Sequence, residues 1–248
     1  MKTKRLIGIY PLIMMGLMMI LANGCKKDDD SDPPDSVKDV DGNVYSKVTI
    51  GTQVWLVENL KVTKYRNGDA IPNVTEGTQW STLTTGAYCN FDNSAANAGT
   101  YGRLYNQYAV KTGNLCPTGW HVPTDPEWTE LTDYLEANGY SYDGAIPGIN
   151  IAKSLSSTAL WQSSTNNGAV GNADYPAYRN KSGFTALPGG YRYFGGEFNE
   201  LRQYGYWWTA TEAPQADGWY WMWSYSSTNV FRNHTNPRDG FSVRCLKD

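Results

Sequence analysis

DGWYWMWSYS, residues 217–226, places Trp219, Trp221, Trp223 and Tyr225 at alternate positions, with Tyr220, Met222 and Ser224 between them. Successive side chains of an extended strand point to opposite faces, so this spacing puts four large aromatics on one face of a strand. Around it lie FTALPGGYRY (184–193), YGYWWTATE (204–212), NVFRNH (229–234) and GFSVRCL (240–246), aromatic or β-branched runs broken by Gly, Pro and Asn. From Phe184 onward the chain therefore reads as short strands and turns.

Upstream the periodicity changes. After CPTGWHVP (116–123), Thr124 is placed to cap a helix with Glu127 reaching back three residues later, and Trp128, Leu131 and Leu135 fall on one helical face. A shorter helix is expected from Ile149 to Leu155, and GRLYNQYAV (102–110) predicts a helical turn through Leu104, Tyr105 and Tyr108. DVDGNVYSKVTIGTQVWLVENL (39–60) reads as a hairpin, with Val44, Ser46, Val48 and Ile50 on one face, a break at Gly51-Thr52 and a return from Gln53 to Val57. Residues 66–100, full of Asn, Gly, Thr and Ala, read as loop with one apolar stop at Trp80. Without a fixed-period repeat or an internal break, residues 39–248 are expected to form one α+β domain.

The N-terminus carries a different signal. Lys2, Lys4 and Arg5 precede an apolar run from Leu6 to Ala22, and Gly24 precedes Cys25. These are the parts of a secretory signal peptide (1–24), and a cysteine at the new N-terminus is a site for lipidation. The usual Leu three residues before that cysteine is replaced by Ala22. Residues 25–38, charged and Pro-containing, read as a tether between a membrane anchor and the domain. Lys26-Lys27-Asp28-Asp29-Asp30 resembles the export signal of surface lipoproteins in the Bacteroidetes group. That resemblance implies an outer-membrane lipoprotein facing outward.

The whole chain has 21 Lys+Arg against 24 Asp+Glu; without the three basic residues of positions 1–24, the remainder has 18 against 24 and a net charge of −6. Basic residues are scattered after Lys27, which argues against a nucleic-acid partner. Beyond Cys25, three cysteines remain. Pairing Cys116 with Cys245 would tie the end of the chain to its middle and is the favoured bridge, with three buried thiols as the alternative. No metal site is expected, since there is no C-x-x-C and the only histidines are His121 and His234. Asp39, Asp41 and Asn43 resemble the opening of a calcium loop, but Ile50 stands where its distal Glu would be. A plain Asp-Gly turn is the better reading, so no cofactor is expected and calcium is the one candidate.

LYNQYAVKTGNLCPTGWHVPTDPEWTEL (104–131), SGFTALPGGYRYFGGEFNELRQYGYWWTATE (182–212), GFSVRCLKD (240–248) and the opening DVDGNVYSKVTIGTQVWLVENLK (39–61) together resemble the Fibrobacter succinogenes major paralogous domain (FISUMP) family. The resemblance implies a secreted or lipid-anchored protein without a defined biochemical role. It also implies a C-type-lectin-like fold shared with formylglycine-generating enzymes, whose last strand ends in Gly-Phe-x-x-Arg-Cys, here Gly240, Phe241, Arg244 and Cys245. Fold does not carry function with it. An oxidase of that enzyme type needs two nearby cysteines late in the domain, and only Cys245 is there.

Neither histidine lies near a G-x-S-x-G nucleophile elbow, and LPGGYRYFGG (187–196) lacks phosphate-loop spacing. Glu197, Glu200, Glu212 and Asp217 are the acids a glycosidase could use, but turn and surface acids are commoner. The expectation is a non-catalytic, surface-exposed binding or adhesion module for a glycan or protein. Its candidate contacts are Trp207, Trp219, Trp221, Trp223, Asn229, Arg232 and Asn233, with core packing as the competing role for the tryptophans. An extracellular polysaccharide hydrolase or formylglycine-generating-enzyme-like oxidase is the alternative. Oligomeric state is left open.

Overall fold

The computed structural model describes residues 36–248. The expected signal peptide, Cys25 and all but the last three residues of the expected tether lie outside the described residues. Strand pairing already begins at Val37–Lys38, which pair antiparallel with Val44–Tyr45, two residues ahead of the expected start of the domain.

The expected hairpin forms between Lys47–Ile50 and Gln53–Leu56. Its turn residue Gly51 has φ +61°, and a Cβ there would lie 2.8 Å from the Tyr134 ring, so conformation and space both require glycine. The second hairpin strand pairs with Leu246–Lys247, which pair in turn with Trp120–His121. The C-terminal strand thus lies inside a four-stranded sheet, clamped between two segments distant in sequence. The Cys116–Cys245 disulfide closes the same junction, with Cα atoms 6.0 Å apart. Cys89 is left as a buried free thiol, pushed up to about 12 by that burial.

The long helix spans Asp125–Ala137 and starts with the expected capping box, Thr124 with Glu127. Trp128, Leu131 and Leu135 are its buried face. They pack with Trp55, Leu155, Phe184, Trp207, Trp221 and Trp223 in one apolar cluster. The second expected helix shortens to Ala152–Leu155.

Tyr204–Glu212, Gly218–Ser224 and Phe231–Thr235 form an antiparallel meander. Its first two strands pack against a core cluster on each face. Trp207 and its cross-strand partner Trp221, with Trp223, face the helix cluster. Tyr206, Trp208, Tyr220 and Met222 face a second cluster built on Tyr105, Val110, Phe241 and Val243. Burial on both faces explains why these runs are aromatic throughout instead of alternating with polar residues.

Residues 66–100 are less irregular than expected. They contain helices Gly77–Ser81 and Ala95–Tyr101 and the strand Tyr88–Cys89. These elements bury few side chains each, Trp80 in one helix and Ala98 and Tyr101 in the other, so no apolar period marks them. Leu104–Tyr105 is a strand paired with Tyr88–Cys89, not part of a helical turn. The turn of helix begins later, at Gln107–Val110, because Asn106 caps it by accepting the Ala109 N–H at 3.0 Å.

Arg244 joins these parts. Its guanidinium is fully buried, donating to the Leu56 carbonyl at 2.9 Å, the Phe184 carbonyl at 2.6 Å and Asn59 Oδ1 at 3.0 Å, and it lies 4.4 Å from the Phe184 ring centroid. Asn59 Oδ1 also accepts the Trp207 indole N–H at 2.9 Å, while its Nδ2 donates to the Tyr101 carbonyl at 2.8 Å. Burial lowers the Arg244 pKa to about 9, which still leaves it charged at neutral pH.

Two stability measurements follow from these contacts. Arg244→Met should lower unfolding free energy by ~3 kcal/mol or more in denaturant titration, because three acceptors lose their donors inside the protein. Reducing the Cys116–Cys245 bridge releases a span of 129 residues and should cost on the order of 5 kcal/mol on the chain-entropy argument, read as a lower denaturation midpoint with reductant present.

Candidate binding surface

Three of the candidate contact tryptophans are interior. Trp207 stacks on Trp223 with ring centroids 4.4 Å apart, and their indole N–H groups are engaged inside, Trp207 by Asn59 and Trp223 by Ser156 Oγ at 2.9 Å. Trp221 donates to Asp125 Oδ1 at 3.2 Å and stacks on Trp128. Buried rings with engaged N–H groups have nothing to offer a ligand, so these three belong to the core. Asn229 is half-buried in the turn before the last meander strand, where its side chain accepts from Thr228 Oγ1.

Trp219 and Arg232 do come together, at the outer strand Phe231–Thr235, while Asn233 of the same strand lies on its opposite face. Phe231, Arg232, Asn233 and His234 are all exposed, and Trp219 beside them is half-buried. Pairing of Trp221 with Arg232 and of Trp219 with His234 puts these four on one face. There the Arg232 guanidinium carbon lies 3.6 Å from the Trp219 ring centroid, and its Nε donates to Asp125 Oδ1 at 2.7 Å. His234 Nδ1 lies 3.0 Å from Asp217 Oδ2. Arg232 is thus held on its ring face and its Nε edge, with its side chain 41 % exposed.

On the opposite face Phe231 pairs with Met222, and Asn233 with Tyr220. That face opens into a concavity of about 440 Å³ lined by Tyr204, Met222, Ser224, Ser226, Ser227, Phe231, Arg232 and Asn233. A larger depression of about 960 Å³ follows the outer side of the long helix past Thr52, Thr129, Glu130, Asp133 and Tyr134, and reaches Asp125. Asp125 therefore touches both the helix groove and the outer strand.

The acids considered for hydrolysis have separate partners. Glu212 pairs with Lys111 at 2.6 Å, Asp217 with His234, and Glu200 accepts from the Tyr206 hydroxyl, while Glu197 is exposed. His121 lies between Asp248 Oδ1 at 2.8 Å and Glu127 Oε1 at 3.0 Å. Burial alone would lower its pKa, but these two carboxylates raise it overall. Asp39 accepts the backbone N–H groups of Asp41 and Asn43 and the Tyr45 hydroxyl, so its oxygens close a turn. Asp239 anchors the end of the outer strand, accepting from Thr235 Oγ1 at 2.6 Å and the Phe194 N–H at 2.7 Å.

Sequence reading singled out neither Phe231 nor Tyr204. The available signal was Phe231 as the one large apolar residue in NVFRNHT, a strand otherwise polar and therefore solvent-facing.

The chain belongs to the Fibrobacter succinogenes major domain family, whose sequence model matches residues 48–247. Comparison with curated proteins and with solved structures gives no match.

Burial pushes the Asp239 carboxyl up to about 6, only partly offset by the Thr235 and Phe194 donors, with Asp217 adding repulsion. A raised acid pKa means that the folded state holds its proton longer than the unfolded chain. The corresponding stability is present below about pH 4 and is lost as pH rises to about 6. Asp239→Asn removes this titration, so its stability relative to the parent should rise across that window, by up to roughly 3 kcal/mol in denaturant titrations at successive pH values.

Proposed function

We propose that this protein is a non-catalytic binding or adhesion module of the cell surface, using the outer strand of the meander as its contact surface. One observation carries the reading: in a domain whose other meander tryptophans are buried, Phe231, Arg232, Asn233 and His234 stand exposed in succession beside Trp219. Clustered aromatic, Arg and Asn side chains supply contact area and directional donors together. The residues 1–38 support the setting of this reading, a signal peptide, lipidation at Cys25 and a tether in an outer-membrane lipoprotein facing outward. The Gly240-Phe241…Arg244-Cys245 ending and the short-stranded α+β architecture support a C-type-lectin-like fold.

The test is retention of the full chain, purified in detergent, on arrays of glycans and proteins. At least one ligand should be held, and the Phe231→Ser/Arg232→Ala variant should lose it while melting like the parent. No retained ligand, or retention unchanged in that variant, would refute the proposal. Mass spectrometry of the membrane-extracted protein should find a chain starting at acylated Cys25; an unprocessed N-terminus would remove the anchor from the reading.

A further inference from the structure

The two faces of the outer strand differ in chemistry. On the Trp219 face the charges are paired: Arg232 with Asp125, His234 with Asp217. The face opposite is a concavity whose lining contains no carboxylate. Backbone alternation sends the Arg232 side chain away from it, to the face where Asp125 and Trp219 hold the guanidinium. What remains is an aromatic and thioether surface, Tyr204, Phe231 and Met222, facing hydroxyl and amide groups.

Those polar groups have unused capacity. Ser224 Oγ lies 2.7 Å from Ser227 Oγ and 3.2 Å from Ser226 Oγ, a linked set in which each hydroxyl has one donor and two acceptor positions. Asn233 Oδ1 accepts the His234 N–H at 2.9 Å, and its NH₂ group has no partner among the described residues. Phe231 is 49 % exposed and lines this concavity beside Met222 and Tyr204.

Resting on the binding-module reading, we infer that this concavity is a subsite for an uncharged pyranose ring of a glycan. A pyranose presents a face of C–H groups and an edge of hydroxyls. The C–H face fits an aromatic ring, and the hydroxyls fit a rim of Ser and Asn that can both donate and accept. A wholly apolar ligand would leave the serine set and Asn233 unpaired, and an anionic one would meet as its one cation Arg232, whose guanidinium is already engaged by Asp125 and Trp219. The volume, about 440 Å³, lies in the range of small-ligand pockets.

The experiment is a titration of the full chain, in detergent, with neutral methyl hexopyranosides and their disaccharides, alongside uronic-acid and amino-sugar counterparts, followed by saturation-transfer and protein NMR. Neutral sugars should bind, with the largest shifts at Phe231 and Asn233. Phe231→Ala should weaken binding by roughly tenfold, Asn233→Ala should weaken it too, and Glu212→Gln, at the opposite end of the meander, should leave it unchanged. Preferential binding of the acidic or amino sugars, or binding of neutral sugars that Phe231→Ala and Asn233→Ala leave unchanged, overturns the assignment. So does the absence of binding by any sugar; if the chain then still retains a protein ligand through its outer strand, only the subsite assignment falls and the binding-module reading stands.

Discussion

A guanidinium held inside the protein by neutral acceptors, with only the Glu58 carboxylate's charge acting on it from beyond hydrogen-bond reach, is the constraint around which the remaining elements are arranged. Arg244 has its charge stabilised by the carbonyls of Leu56 and Phe184, the amide oxygen of Asn59 and the face of Phe184. An isolated buried charge is costly unless every donor is met, so these groups must be in place together. Leu56 ends the N-terminal hairpin, Phe184 opens the aromatic half, and Asn59 also fixes Trp207 in the meander. One side chain thereby couples the first strands, the central sheet and the C-terminal segment. The disulfide one residue further on, at Cys245, holds that segment to the Cys116 loop. Arg192 repeats the solution at smaller scale: its guanidinium donates to the carbonyls of Val74, Thr75 and Gly196, between the rings of Trp80 and Phe198.

Buried aromatics in the meander take over the packing that aliphatic residues do elsewhere, and their polar edges are matched one by one. Trp207, Trp208, Trp221 and Trp223 each donate an indole N–H to an internal acceptor, Asn59, the Tyr105 carbonyl, Asp125 and Ser156 respectively. Such pairings fix ring orientation as well as burial, since an unpaired N–H in this interior would be penalised. They also leave the outer strand as the most exposed part of the meander. The first two meander strands are largely covered, apart from Tyr204 and Met222 at the concavity, and the first is further paired through Ser242 with the C-terminal segment. Only the third strand has one edge and four side chains turned to solvent.

How far the sequence carried the reading depended on whether a pattern repeats locally. The capping box at Thr124 and Glu127, the Trp128/Leu131/Leu135 face and the hairpin around Gly51 are short-range patterns, and each formed as read. Cys116 and Cys245 were likewise paired from their positions. The helices of residues 77–101 left no apolar period in the sequence because they are a turn or two long and bury only one or two side chains each. The tryptophans exposed the limit of strand periodicity. Alternation correctly put Trp221 and Trp223 on one face, but it could not say that a helix covers that face, nor that Trp219 lies where the cover ends. Phe231 and Tyr204, on the third and first strands of the meander, come to line one concavity only through the meander's pairing, which no local pattern records.

The arrangement around Trp219 bears on how the outer strand would meet a ligand. One face of its ring is covered by the Arg232 guanidinium at 3.6 Å, and His234 approaches its edge with centroids 5.1 Å apart. Trp219 is therefore not an open stacking platform. Its role is to hold Arg232 flat, together with Asp125, so that the remaining guanidinium N–H groups are fixed in direction before anything binds. A side chain ordered in advance loses less entropy on contact. Phe231 is the opposite case: a bare ring with no cation over it, standing beside hydroxyls on the other side of the same strand. The outer strand thus separates a directional, charged edge from an aromatic, uncharged hollow, and a ligand long enough to cross it would be read by both.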